Sequence, residues 1–391
     1  MSWKLDEKTR KQPWEPQRLT TAVRASLPSS SFHGSSVGRA AFTLVELLVT
    51  IVIIGILATL LLGVAARAGE SAREARTKAL VTRLHTLVSQ QYDSYRDRRA
   101  PVSRAIQSQL DDQVRRRNIT SQQRGLAMAE MRLYAIRELM LMEMPDRWSD
   151  VLLNSVDAVN GASNLNSPQY LDPPSVPPAF GGATPIVEAY RRQYFSMLNA
   201  GVSKELIKQN QGAECLYMMV MIATADGEAR SLFSEKSIGD TDGDGAKEFV
   251  DGWGNPISFI RWPVGYDSDR QLNARDLGDP TAATWLNAAA ADHDPMDAFR
   301  VEPRAFRVVP LIFSAGPDEQ YNLYSARDTT IWPDATPSAG TYVSTAHLSP
   351  FETVTSSAGD FFLGSPMNEA GNEVDPYGGA DNITNHNISG D

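Results

Sequence analysis

Cysteine is almost missing from this sequence. Cys215 is the single one among 391 residues, so no intrachain disulfide can staple the fold. It stands beside the apolar run 216–222, a setting for a buried thiol and not for a reactive one. Histidine is scarce as well. The five, at 33, 85, 293, 347 and 386, are scattered, and none has a partner at the spacing of a helical zinc site. Asp292-His293-Asp294 reads as a turn. There is no Gly-x-Ser-x-Gly elbow and no phosphate loop. These shortages point away from an enzyme. No internal repeat is present either.

Negative charge is lacking where the chain begins and abundant where it ends. Residues 1–41 carry seven Lys/Arg against three Asp/Glu, +4, and residues 67–147 carry sixteen against ten, +6. Residues 148–391 carry fourteen against thirty-three, −19, within a total of −10. The acidic end disfavours nucleic acid and suits a domain facing cations.

Between the two basic stretches lies the one long apolar run, FTLVELLVTIVIIGILATLLLGVAA, residues 42–66. As a helix it spans roughly 37 Å, enough for a hydrocarbon core of about 30 Å. A secretory signal peptide has a shorter core, about 7–15 residues, and ends at a small-residue cleavage site. The run is too long for that, which leaves a membrane anchor. Lys4, Lys8, Arg10, Lys11, Arg18, Arg24 and Arg39 place the amino terminus in the cytoplasm. Glu46 is the only charge inside the run, and a carboxylate there calls for a partner or a position at the membrane edge.

Phe42-Thr43-Leu44-Val45-Glu46-Leu47-Leu48, followed by Ile53-Ile54-Gly55-Ile56-Leu57, closely resembles the signature of type IV pilins and type II secretion pseudopilins. The resemblance implies that residues 1–41 are a leader, cut by a prepilin peptidase between Ala41 and Phe42. It also implies N-methylation of Phe42 and pairing of Glu46 with a neighbouring subunit's amino terminus during assembly. In one respect the chain departs from the family: Ala41 precedes the cut where Gly is usual.

Past Arg67 the helix continues. Leu80, Leu84, Leu87, Val88, Gln91 and Tyr95 recur at spacings of three and four, and Pro101 marks a stop. The pattern predicts one helix from Phe42 to about Arg98. Further helix is expected over 104–147, with Leu126, Met131, Tyr134, Leu139 and Met142 on one face and Arg115-Arg116-Arg117 as solvated surface. A Pro/Gly loop over 155–185 precedes helices near 186–199 and 203–224. Strands are expected at 257–262 and 306–313.

Asp240-Thr241-Asp242-Gly243-Asp244-Gly245 opens like a calcium loop. Alternating carboxylates can converge on a hard cation, and Gly245 allows the tight turn. Counting on, Glu248 takes the ninth slot and Asp251 the twelfth; the bland alternative is an acidic turn without metal. Two further stretches resemble the major pseudopilin of type II secretion: Asp251-Gly252-Trp253-Gly254-Asn255-Pro256, and Phe313-Ser314-Ala315-Gly316-Pro317-Asp318. Asp381-Asn382-Ile383-Thr384-Asn385 resembles that family's closing acidic motif. Carried over, this places a second calcium site on Asp318 and Asp381.

The resemblance implies an α+β, pilin-like fold, one long amino-terminal helix packed on a small antiparallel sheet with helical insertions. Its expected parts are the leader (1–41), the transmembrane helix (42–66), its amphipathic continuation (67–100), a helical insertion region (101–235) and a β-rich acidic head (236–391). The expected function is a pseudopilus or pilus-like fibre subunit in the inner membrane, cytoplasmic at its amino terminus and periplasmic or extracytoplasmic at its head. Its partners would be the prepilin peptidase, other pilin or pseudopilin subunits, the secretion platform and membrane lipid, with no nucleic acid. The competing expectation is a membrane-tethered, calcium-dependent binding protein or adhesin on a pilin-type anchor.

Overall fold

The computed structural model describes residues 43–151, 180–182, 184–223, 231–325, 349–351, 354–356, 359–369 and 374–388. Ala41 and Phe42 lie outside the described residues. The chain divides into two compact units, one ending at Leu61 and the other running from Leu62 to Asp391.

Helix α1 (Leu44–Ser94) is continuous over 51 residues. Its start is a reciprocal cap. The Thr43 amide and hydroxyl each donate to Glu46 Oε2 at 2.9 Å, and the Glu46 amide donates to Thr43 Oγ1 at 3.2 Å. That pattern satisfies donors which a helix start otherwise leaves orphaned. Over residues 44–64 the fifteen large apolar side chains are all exposed, Leu44 at 80% and Leu62 at 71%. Burying one such side chain is worth about 1.5–3 kcal/mol, so the segment stands to gain tens of kcal/mol from an apolar surrounding. Farther along, Thr77, Leu80, Val81, Leu84, Val88 and Tyr92 are buried in one stripe. The helix ends four residues before the expected Arg98. Tight turns Tyr95 N–H to Tyr92 O and Arg98 N–H to Tyr95 O unwind it ahead of Pro101.

The further helix expected over 104–147 forms as two helices, α2 (Arg104–Arg115) and α3 (Ser121–Glu143). Arg117 takes a left-handed φ of 60° between them, and Thr120 with Gln123 forms the capping box that starts α3. Short α4 (Trp148–Val151) follows. After α5 (Pro185–Asn199), the helix expected over 203–224 is also broken, into α6 (Lys204–Gln209) and α7 (Gln211–Ala223).

Strands are short. β1 (Ile238–Gly239) pairs antiparallel with β2 (Glu248–Phe249), so residues 240–247 are a hairpin loop. Beyond it, β3 (Ser258–Ile260) and β4 (Leu311–Ser314) pair antiparallel with Phe259 opposite Ile312. The expected strand at 306–313 begins five residues late. Two short helices, α8 (Ala274–Leu277) and α9 (Ala283–Ala291), lie between them. β5 (Val354–Ser356) and β6 (Gly359–Phe361) form a separate ladder. Finally β7 (Ile383–Thr384) adds to the far edge of β4 and leads into α10 (Asn385–Ile388).

The β3–β4 pair is buried on both faces. Phe259 and Ile312 face the main core, while Ile260, Leu311 and Phe313 face a smaller cluster with Leu323. α7 packs across β2 and β3. Gly212 makes that approach possible, because a Cβ there would come within 2.8 Å of Ser258 Oγ and 3.1 Å of Phe259 O. One main core joins Leu84 of α1, Met140 of α3, Trp148 of α4, Leu216 of α7, Phe249 of β2 and Ile312 of β4. The helices of 101–235 therefore share a core with the strands of 236–391.

His386 closes this core at the chain's end, with Nδ1 2.7 Å from Ser268 Oγ and its ring edge-on to Tyr266. Burial, aided by Arg270 and His85 and opposed by backbone hydrogen bonds, pushes its imidazole down to about 4. In the unfolded chain its value is about 6.5, so the unfolded state takes up the proton first. His386 thus contributes fully above about pH 6.5, and its contribution is lost as pH falls toward 4, about 3 kcal/mol over that window. Denaturation midpoints measured from pH 7 to pH 4 should fall, and His386→Gln should flatten the slope.

Candidate functional site

The 240–247 hairpin loop holds its own acids in place through backbone amides. Asp240 accepts from Gly243 N–H at 2.7 Å and Gly245 N–H at 3.1 Å. Asp242 Oδ1 accepts from Asp244 N–H at 3.4 Å, and Asp244 Oδ1 from Ala246 N–H at 2.6 Å. Glu248 Oε2, at the start of β2, accepts from Thr241 N–H at 3.0 Å. Each of these acids except Asp240 keeps a second, buried oxygen without a hydrogen-bond partner: Asp242 Oδ2, Asp244 Oδ2 and Glu248 Oε1.

Two sets of three carboxylates have ligand oxygens within 4.8 Å of one another, Asp240–Asp242–Glu248 and Glu214–Asp242–Asp244. Asp242 belongs to both. Burial, reinforced by the neighbouring carboxylates, pushes Glu248 up to about 8 and Asp244 up to about 6, and raises Asp242. Glu214 is raised well above the usual carboxylate range by burial and by Asp244. A buried carboxylate without a counter-charge either holds a proton or awaits a cation.

Asp251, assigned to the twelfth slot from sequence, does not join these oxygens. Its Oδ1 accepts the amides of Trp253, Gly254 and Asn255 at 2.8–2.9 Å, and its Oδ2 accepts the Ser314 hydroxyl at 2.7 Å. Asp251 is the organiser of the turn that follows the loop. That turn docks on α1. Thr77 Oγ1 accepts from Gly252 N–H at 2.9 Å and Trp253 Nε1 donates to Glu70 at 2.8 Å. A Cβ at Gly252 would meet Arg73 O at 2.5 Å, so only glycine fits. The order of residues in this stretch thus reflects packing against the helix.

Asp318 and Asp381, 63 positions apart in sequence, do come together. Asp318 sits on a 3₁₀ turn, Gly316–Asp318, and its carboxyl faces that of Asp381, which burial and Asp318 raise. Among the described residues, three such ligand atoms gather only around the 240–248 loop, where Glu214 joins it. Cys215 is fully buried and burial raises its thiol well above the usual range; His293 contacts Asp297 at 3.2 Å within a turn.

Sequence reasoning missed Glu214. The only available signal was a carboxylate in the first turn of a helix that is apolar from Cys215 onward, 26 positions before the loop.

At the other end of the chain, residues 38–62 match the family described as the prokaryotic N-terminal methylation motif. The amino-terminal segment is type IV pilin-like. The match implies processing by a prepilin peptidase and pilin-type subunit assembly. With the long α1 and small antiparallel sheets, it gives an α+β, pilin-like fold, and the exposed apolar face of α1 is consistent with membrane anchoring. No curated protein and no solved structure matches the chain.

Proposed function

We propose that the chain is a structural subunit of a type II secretion pseudopilus or a related pilus-like fibre. The observation that carries this reading is the coincidence of the methylation motif with the exposed apolar stretch of α1, residues 44–64, whose one acid, Glu46, sits in the helix's first turn. In this reading the leader leaves between Ala41 and Phe42, Phe42 is methylated, and the helix sits in the inner membrane with the head outside. The head holds calcium through Asp240, Asp242, Asp244 and Glu248, with Asp318 and Asp381 as a second site; their unpartnered or mutually repelling carboxylates support it. The motif's family is structural, which fits the shortage of catalytic groups.

Amino-terminal sequencing and intact mass of the chain co-expressed with a prepilin peptidase should find a mature protein starting at methylated Phe42. A protein starting at Met1, or beyond Gly55, would remove the basis for this reading. A cleft of about 630 Å³ lined by Gln209, Asn210, Asn255, Gln320 and Tyr321 favours a second reading, an anchored binding protein or adhesin. Its amide-rich wall suits a polar ligand.

A further inference from the structure

We propose that Glu214, Asp242 and Asp244 form a buried calcium site that ties helix α7 to the β1–β2 hairpin. The proposal rests on the cation reading of the loop and adds to it a ligand from a different element. Glu214 is 0% exposed. Its Oε2 accepts the Trp148 indole N–H, and its Oε1 has no partner. Asp242 Oδ2 and Asp244 Oδ2 are likewise buried and unpartnered, and one carboxylate oxygen from each of Glu214, Asp242 and Asp244 lies within 4.8 Å of the others.

The spacing fits one hard cation. Oxygens on a calcium ion at about 2.3–2.6 Å cannot lie farther apart than about 5 Å, and magnesium's shorter bonds of about 2.0–2.1 Å draw them closer still. An all-carboxylate set disfavours the softer metals that prefer imidazole or thiolate. The linear count along the loop puts all its acids on one ion. Here the chain folds so that Asp244 turns inward toward α7, while Asp240 and Glu248 share only Asp242 with that set. Because α7 packs on β2 and β3, an ion at Glu214 bears on the core of the head and not on the loop alone.

The full-length chain in detergent tests this with two readouts, thermal unfolding in calcium against chelator, and terbium luminescence excited through tryptophan. Trp148 touches Glu214, so terbium in this site should emit on indole excitation and be displaced by calcium. Glu214→Gln, which keeps the shape and drops the charge, should lower calcium affinity at least about tenfold and remove most of the sensitised emission. In chelator it should melt no lower than the parent, since a buried carboxylate without counter-charge has gone. A lower melting point in chelator and calcium alike, with the calcium shift intact, would make Glu214 a structural residue and overturn the proposal. So would a Glu214→Gln variant binding calcium like the parent while Asp242→Ala does not; that outcome leaves the loop reading standing. No calcium shift in the parent chain would end both.

Discussion

Glu46→Gln should enter membranes as well as the parent chain does, yet lower the yield of fibres or crosslinked oligomers at least about tenfold, a change of about 1.4 kcal/mol in subunit association. The substitution separates the cap that the structure shows from the pairing proposed for the same side chain. In this chain Glu46 caps its own helix through Thr43, but those donors are neutral and leave the carboxylate's charge uncompensated. A charge held near an apolar layer is stabilised by an opposite charge, and a neighbouring subunit's amino terminus would supply one. Gln keeps an acceptor oxygen for the cap and carries no charge. Glu46→Ala loses both. If Gln assembled like the parent while Ala did not, capping would be the whole role and the pairing idea would fall.

Replacing Arg261 by Met should destabilise the head by about 3–5 kcal/mol, read as a lower denaturant midpoint. Arg261 is fully buried in the bend that directly follows β3. Its amide donates to Asp146 at 3.1 Å, its guanidinium to Asp150 at 3.0 Å and to the Met144 carbonyl, and its plane lies over the Trp262 ring. Asp150 is pushed up to about 6 by burial, against the pull of Arg147 and Arg261. Without Arg261, Arg147 is the one cation among the described residues that remains paired with these two buried carboxylates, at 3.3 and 3.7 Å. The cost is that of the orphaned acids. Adding Asp150→Asn to Arg261→Met should therefore recover part of the loss. Equal midpoints for the single and double variants would show that the damage is only lost packing.

Part of this protein was legible from its order of residues because the signals are local. A run of 25 apolar residues, a helical stripe from Leu80 to Tyr95 and alternating aspartates at 240, 242 and 244 each express a rule that acts within a few turns of chain. Helix breaks at Arg117 and Asn210 were not legible, since a left-handed residue or an abrupt restart is decided by what the flanking helices pack against. Strand β7 was hidden for the same reason: two residues are too few for a period, and only the open edge of β4 makes them a strand. The site divides along this line. Spacing singled out Asp240, Asp242, Asp244 and Glu248, which the fold divides between two sets that share Asp242, but it also counted Asp251, whose oxygens the folded turn and Ser314 take up. Glu214 entered only through tertiary structure. Nothing along the chain links it to the loop, and the link exists because Gly212 lets α7 lie close on β3 and turns that carboxylate inward.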